Sequence, residues 1–507
     1  MKLLYTEYDW TFELIEKTWT AIDDIGKNHF KLDYYTPQIE VISSEQMLDA
    51  YSSVAMPIMY NHWSFGKSFV NNEKDYKKGR TGLAYEVVIN TNPCLTYLME
   101  DNSMTLQALV MAHAACGHSS FFKTNYLFRG WTDAEYILDY LKYAKNYIAE
   151  CEQKYGHQVV ERILDACHAL KYFGVDKYKR PPRLQEDVLR QKIKESEEQE
   201  RVSFNDLWRT TKKATPYSSN SIRVNHQDDM TQKVDWDFPE ENLLLFIEKQ
   251  STTLRPWVKE IIRIVRKISQ YFYPQMQTQL MNEGWATFIH YHIMLELYER
   301  GQISEGSYLE FLSFHSAVIY QPPYTHAGYS GINVYALGFA IMMDIKRICQ
   351  DPTEEDRYWF PQLIGQDWLT TLKDIIENYR DESFILQFLS PKVIRDFKFF
   401  LLSDADSEYK EEYVVDHVHD DIGVLKIRDK LSQYYSLSYR LPQIELVGAD
   451  VLTSRMCLQY HMIDDKILKW KECRETLSYF EFLWGHIEEF DVQYLKPDGS
   501  QYDGPLS

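Results

Sequence analysis

Apolar side chains recur at intervals of three or four residues through most of the first 400 positions, and this spacing predicts a mainly helical fold. Residues 10–25 form the first predicted helix, in which four apolar side chains share one face: Phe12, Ile15, Trp19 and Ile22. Similar patterns predict helices from about Thr105, through residues 133–174 with an end at Gly174, and over most of 236–402.

Two other parts of the chain have patterns typical of strands. Residues 82–92 are rich in β-branched side chains and end at Asn92-Pro93, which predicts a short early strand or hairpin. Residues 414–447 and 455–462 contain short alternating stretches, which predict antiparallel strands. The expected fold is therefore mainly α-helical, with a short early strand or hairpin and a smaller C-terminal α+β domain.

These patterns predict four regions along the chain. An N-terminal helical region with paired histidines (1–175) is followed by a charged linker or lid (176–235), a helical region with an Asn-Glu-Gly-Trp-Ala motif (236–402) and the α+β domain (403–507). Charges of both signs crowd around Pro181-Pro182, and this composition is typical of a solvated linker containing one charged helix. A mobile lid or an arm that docks a partner is the alternative interpretation.

The composition of the chain argues against several classes of function. The 507 residues carry 55 basic and 75 acidic side chains, giving a formal net charge of −20, so we do not expect nucleic-acid binding. Seven scattered cysteines without a Cys-x-x-Cys pair favour reduced thiols in the cytoplasm. We predict no secretory signal peptide, because the first residues lack an uninterrupted apolar stretch and a small-residue cleavage site. We predict no membrane span, because no apolar run approaches the required length.

The first candidate for chemistry is a pair of histidines in an apolar helical segment. His113 and His118 flank small residues, which leave room for both imidazoles to face one cavity. On a regular α-helix, side chains five positions apart point about 140° away from each other. The two rings therefore converge only where the helix bulges or ends, and Gly117 permits such a change. Two core histidines that bond to separate neighbours are the alternative.

A carboxylate in a second apolar segment is the matching candidate. Burial of Glu283 is costly unless its charge is paired, hydrogen-bonded or bound to a metal. We therefore predict that His113, His118 and Glu283 bind a divalent transition metal, either Zn, Mn or Fe. His290 shares a helical face with Glu283 and would be a fourth ligand or the catalytic acid–base group. An ion pair between Glu283 and an Arg or Lys is the alternative.

Polar and aromatic side chains in two turns are candidates for lining a pocket. The Pro- and Gly-rich segment 321–338 carries His326, Tyr329 and Asn333 ahead of an apolar helix. His62 lies in a similar aromatic turn at 61–67. Structural turns without a site role are the alternative in both places.

Several long motifs together resemble the stage V sporulation protein R (SpoVR-like) family. They are NHWSFGK at 61–67, AYEVVINTNP at 84–93, ALVMAHAACGHSSFFKTNYLF at 108–128, the stretch from RPW to HYHIM at 255–294, and NVYALGF at 333–339. The resemblance implies a role in spore cortex formation or in stress and stationary-phase physiology. It also implies a PrkA-type serine protein kinase and a von Willebrand A-like protein as partners. No catalytic residues follow from it.

Two hypotheses about function result. In the first, the chain is a cytoplasmic metal-dependent hydrolase acting on a peptide or a cell-wall precursor, whose ion polarises a carbonyl group or lowers the pKa of water. In the second, the chain is a non-catalytic regulator or scaffold. Its buried histidines and Glu283 would then form a structural polar network, and its charged linker and acidic surface would bind a partner such as the kinase.

Overall fold

The structure is a computed structural model of the chain. It describes residues 3–52, 56, 58–65, 67, 86–177, 238–327, 329–404, 413–416, 420–450, 455–463 and 467–502. Apart from its first two residues, the predicted linker or lid at 176–235 lies outside the described residues.

Helices make up most of the described chain. The α-helices are α1 (Phe12–Asp24), α2 (Ser44–Ser52), α3 (Met104–Met111), α4 (Ser119–Thr124), α5 (Tyr126–Trp131), α6 (Ile137–Tyr155), α7 (His157–Ala169), α8 (Leu243–Gln250), α9 (Pro256–Phe272), α10 (Gln279–Glu299), α11 (Glu305–Val318), α12 (Val334–Gln350), α13 (Glu354–Trp359), α14 (Trp368–Asn378), α15 (Asp381–Phe388), α16 (Pro391–Asp396), α17 (Asp421–Tyr435), α18 (Leu437–Arg440) and α19 (Trp470–Trp484). Wider π-helical turns cover Ile25–His29 and Ala112–His118, and 3-10 turns cover Lys171–Phe173, Gln275–Gln277 and Pro361–Leu363.

Small sheets accompany the helices. The strands are β1 (Pro37–Ile42), β2 (Glu86–Ile89), β3 (Cys94–Met99), β4 (Leu401–Asp404), β5 (Tyr413–Asp416), β6 (Gln443–Asp450), β7 (Arg455–His461) and β8 (Glu489–Leu495). Strand β3 lies between parallel β1 and antiparallel β2, and β4 pairs with β5 in an antiparallel arrangement. Strand β7 lies between antiparallel β6 and parallel β8.

The predicted mainly helical fold, with a short early strand or hairpin and a C-terminal α+β region, is confirmed, and the early element is the antiparallel pair of β2 and β3. Two local predictions were wrong. Residues 37–42, in a segment expected to be helical, form β1 because their backbone pairs with that of β3. Residues 421–435, expected to be strand, form α17. The Asp420 side chain accepts the Gly423 N–H at the start of this helix, and its core face is formed by Val424, Ile427 and Tyr435.

The described chain divides into two compact units. The first contains the described residues of 3–138 and 268–442, and the second contains those of 139–177, 238–267 and 443–502. Every candidate site residue named above belongs to the first unit. Among the described helices, none combines the length and the apolar composition needed to cross a membrane.

The second unit has a buried charge network of its own. Glu248 on α8 accepts a hydrogen bond from Arg263 Nε at 2.8 Å and another from Arg266 Nε at 3.1 Å. Burial alone would raise the pKa of Glu248, but the two guanidinium groups outweigh burial and lower that pKa. Trp484 of α19 stacks on Phe246 of α8, with the ring centroids 5.0 Å apart. This unit is therefore held by both ionic and aromatic contacts.

Helix α10 lies at the centre of the first unit. Buried apolar residues occur all round this helix rather than along one stripe, which is the pattern of a helix enclosed by protein. It packs against α12 and against the π-helical turn at 112–118. Asp381, the first residue of α15, accepts the backbone N–H groups of Leu280 and Met281, each at 2.9 Å. The carboxylate thereby satisfies two donors that the first turn of α10 leaves open.

Glycines set how closely α10 approaches its neighbours. A Cβ on Gly117 would lie 2.6 Å from Ala286 Cα, and a Cβ on Gly284 would lie 2.6 Å from Gly338 Cα. Both distances are far inside van der Waals contact, so only glycine lets these backbones come so close.

We expect Gly117→Ala to lower the free energy of unfolding by about 1–3 kcal/mol, the range for overpacked cores. The added methyl group would overlap Ala286 and push the π-helical turn away from α10. Gly306→Ala is a matched control, because a Cβ there meets nothing closer than Ser304 Oγ at 3.7 Å. Urea unfolding monitored by circular dichroism measures both variants, and wild-type stability in Gly117→Ala would contradict the packing argument.

We expect Asp381→Ala to lower the free energy of unfolding by about 1–3 kcal/mol, because two buried backbone N–H groups lose their acceptor. Asp381→Asn retains one acceptor oxygen and should lose less. The same urea titration compares the two variants. Equal losses for Ala and Asn would show that these hydrogen bonds do not stabilise the start of α10.

Candidate metal centre

The π-helical turn at 112–118 directs two imidazoles toward one point. A π-helix closes its hydrogen bonds between residues five apart, so side chains at that spacing share a face, unlike in an α-helix. His113 and His118 are both buried, and their ring centroids lie 4.6 Å apart. The predicted departure from α-helical geometry is thus confirmed. The turn is tied to α10, because Trp285 donates to Ser120 Oγ at 2.9 Å and Ser120 donates to the Gly117 carbonyl at 2.8 Å.

The carboxylate of Glu283 meets both imidazoles. Its Oε2 lies 3.4 Å from His118 Nε2 and 3.7 Å from His113 Nε2. The structure therefore brings together the three side chains predicted to converge, although 165 residues separate His118 from Glu283. The Oε2 atom is buried and has no hydrogen-bond partner among the described residues.

The separations between these atoms fit ligands around one ion. Two atoms that each lie about 2.1 Å from a tetrahedral ion are about 3.4 Å from each other. Hydrogen bonds between nitrogen and oxygen are shorter, typically about 2.7–3.2 Å. The contacts of Glu283 with His113 and His118 therefore match the edges of a coordination polyhedron better than they match hydrogen bonds.

Glu86 is a fourth member of the site that sequence reasoning missed. Its Oε1 lies 3.2 Å from His113 Nε2, and ligand atoms of Glu86, His113 and His118 all lie within 4.8 Å of one another. Glu86 is the first residue of β2, and β3 pairs with that strand in the early sheet. The sequence signal that could have identified Glu86 was an acidic residue at the start of an otherwise apolar strand.

The second nitrogen of each ring has its own partner. His118 Nδ1 donates to Asn282 Oδ1 at 2.9 Å, so in a neutral ring the Nε2 lone pair faces the Glu283 carboxylate. That arrangement is repulsive unless a proton or a metal cation lies between the two groups. Metal-binding histidines commonly use their other nitrogen in this way.

His113 begins a chain of three buried histidines. Its Nδ1 lies 2.8 Å from His290 Nδ1, and His290 Nε2 lies 2.8 Å from His315 Nδ1. His290 thus lies behind His113, and both of its nitrogens face other histidines rather than Glu283. Sequence reasoning did not identify His315 or Asn282, because nothing in their spacing shows which helices pack together.

Burial and charge shift the pKa values of the site in opposite directions. Burial alone would raise the pKa of Glu283, but His118 and His113 outweigh burial and hold that pKa well below its usual range. Burial alone would lower the pKa of His118, but the Glu283 carboxylate raises it to about 9. Burial raises the pKa of Glu86. Burial, together with the neighbouring His113, lowers the pKa of His315 to about 4 and that of His290 well below its usual range.

A pocket of about 320 Å³ adjoins these residues. Its polar lining comes from Glu86, His113, His290 and Tyr335. The remaining described lining residues are apolar: Leu106, Leu109, Val110, Phe314, Ala317 and Val318. Of the predicted site residues, His113 and His290 are the two that border this pocket.

The structure places the other predicted pocket residues elsewhere in the first unit. His326 and Tyr329 lie exposed in the loop before α12. Asn333 caps α12 by accepting the N–H groups of Tyr335 and Ala336. His62 Nδ1 lies 2.6 Å from Ser64 Oγ. Among the described lining residues of the 320 Å³ pocket, none of these four occurs, and a site role for them stays a prediction.

Comparisons with known proteins give one consistent result. The family model described as SpoVR like protein matches residues 9–440. The chain is 51% identical to the Escherichia coli (strain K12) protein YcgB over 496 residues, which cover 97% of this chain and 94% of that protein. No solved structure matches the chain. Because the family match spans most of the sequence and YcgB is similar over nearly its whole length, the chain belongs to the SpoVR-like family.

Proposed function

We propose that this chain is a metal-dependent hydrolase in which His113, His118 and Glu283 hold one divalent transition ion. The observation that carries the proposal is the Glu283 Oε2 atom, which is buried and has no hydrogen bond of normal geometry within the described part of the chain. It faces two imidazole Nε2 atoms at 3.4 and 3.7 Å, which are ligand-to-ligand distances. Two nitrogens and a carboxylate oxygen suit Zn²⁺, Mn²⁺ or Fe²⁺. A three-residue ligand set is typical of catalytic sites, which keep a position open for water or substrate.

Glu86 supplies the general base that the sequence motifs lacked. It borders both the imidazole of His113 and the adjoining pocket. Burial raises its pKa, which favours uptake of a proton from water during hydrolysis. A bound divalent ion would lower the pKa of that water and polarise a carbonyl group. His290 and His315 position His113 through its Nδ1 atom, so His290 acts as a positioning residue in this proposal.

The biological setting follows from the family resemblance. A peptide or a cell-wall precursor is the proposed substrate, in keeping with spore cortex formation or stress physiology. A PrkA-type kinase and a von Willebrand A-like protein remain the proposed partners. The alternative of a regulator or scaffold is favoured by one observation: the hydrogen-bonded chain from His113 through His290 to His315 is also suited to a purely structural network.

Metal analysis of the untagged full-length chain tests the proposal. We expect about one transition-metal ion per chain in the wild type and a loss of at least tenfold in affinity in Glu283→Gln, which keeps the shape but removes the charge. Glu296→Gln is the matched control. It lies 13 residues further along α10, about 20 Å away along the helix axis, and pairs with Arg300.

The variant Glu86→Gln distinguishes the role of Glu86 from that of the proposed ligand Glu283. Because Glu86 is the proposed general base, the Glu86→Gln variant should lose hydrolytic activity while it retains the ion. Wild-type protein that is fully stable without metal, and that takes up none from Zn²⁺, Mn²⁺ or Fe²⁺ solutions, would overturn the hydrolase proposal and favour the scaffold.

We expect His290→Ala to weaken metal binding by about 10–100-fold, the usual effect of removing an outer partner of a ligating histidine. His290→Gln should restore most of the affinity, because its amide oxygen can accept from His113 Nδ1. His292→Ala is the control, because this buried histidine of α10 instead contacts the Phe288 carbonyl and Lys346. Competition with a fluorescent chelator measures each affinity. An equal loss in the Ala variants at positions 290 and 292 would contradict a positioning role for His290.

A further inference from the structure

We infer that the 320 Å³ pocket binds an unbranched apolar chain of the substrate, whose polar end reaches the metal centre. This inference rests on the proposed function and adds the chemical class of the substrate: a carbonyl compound with an aliphatic tail.

The pocket is built from one face of each of two helices. Helix α3 contributes Leu106, Leu109 and Val110, and the same spacing continues to His113 in the π-helical turn. Helix α11 contributes Phe314, Ala317 and Val318, again at intervals of three and four residues. Such spacing places each set on a single helical face, so the walls form an apolar groove between two helices.

The polar lining residues lie together around His113, which is 3.2 Å from Glu86 Oε1, 2.8 Å from His290 Nδ1 and stacked on the Tyr335 ring with the centroids 6.1 Å apart. Glu86, His113, His290 and Tyr335 supply the polar groups of the lining, and two of these four belong to the proposed centre. A ligand that fills the groove must therefore be apolar along the walls and polar where it meets His113 and Glu86, because an unpaired polar group against the walls would lose its hydrogen bonds to water.

The size of the groove sets the length of the chain. A volume of about 320 Å³ holds roughly ten groups of the size of a water molecule or a methylene. Ala317 lies on the exposed part of α11, while Leu106, Leu109 and Val110 are buried. The groove therefore has a buried wall on α3 and a solvent-accessible edge at Ala317, through which a chain can enter.

Binding of straight-chain hydroxamates to the zinc-loaded full-length protein tests the inference. These probes carry a metal-chelating head group, and the series from acetohydroxamate to octanohydroxamate varies only the tail. We expect affinity, measured by isothermal titration calorimetry, to rise about fourfold with each added methylene until the groove is full.

Two tryptophan variants test whether the rise in affinity with tail length arises in the groove. Ala317→Trp should abolish the gain in affinity with tail length, because the new ring fills the groove at its edge. Ser316→Trp introduces the same ring at the neighbouring exposed position, about 100° away around α11, and should keep the gain.

The outcomes distinguish the two proposals. Acetohydroxamate binding without any dependence on tail length would overturn the apolar-chain inference and leave the metal centre standing. The same gain in Ala317→Trp as in the wild type would also overturn it. Protein that binds neither zinc nor acetohydroxamate would overturn the metal centre, and the inference that rests on it would be overturned as well.

Discussion

The close approach of two backbones at Gly117 and Ala286 sets the geometry of the proposed metal centre. A single added Cβ would be 2.6 Å from Ala286 Cα, so the π-helical turn can lie against α10 only because this position has no side chain. The contact brings the imidazoles of His113 and His118 within reach of Glu283, which lies three residues before Ala286. The hydrogen bonds from Trp285 to Ser120 and from Ser120 to Gly117 hold the two segments in this arrangement.

Electrostatics explains why these groups belong together. Two carboxylates and two imidazoles share one largely buried space, and each charge would be costly there without a partner. His118 Nδ1 donates to Asn282, so in a neutral ring the Nε2 lone pair faces the carboxylate of Glu283. A divalent cation held between these atoms would remove this repulsion and would match the separations of the ligand atoms. The neutral histidines behind His113 add hydrogen bonds without adding charge.

The proposed centre and the apolar groove share one continuous segment of the chain, which runs from α3 into the π-helical turn. Helix α3 supplies a groove wall, and the chain runs directly into the turn that carries His113 and His118. Glu86, the first residue of β2, borders both His113 and the groove. A substrate tail in the groove would thus lie next to the metal ligands. This continuity is the reason for favouring the proposed catalytic arrangement over a purely structural histidine network.

The sequence by itself determined the helical class, the early hairpin, the family and the three side chains that converge. It did so because helical periodicity is local and because the cost of burying Glu283 is visible from its apolar neighbours. Residues 421–435 were assigned to strand although two local signals favour a helix: the cap at Asp420 and the helical spacing of Val424, Ile427 and Tyr435.

Tertiary structure alone decided that Glu86 joins the site and that His290 lies behind His113. Glu283 and His290 share a helical face, but seven residues separate them by about 10 Å along the axis. Which neighbour each side chain meets therefore depends on how α3, α10, α11 and β2 pack. That packing is fixed by contacts between residues far apart in the chain, such as Gly117 with Ala286, and no local pattern encodes them.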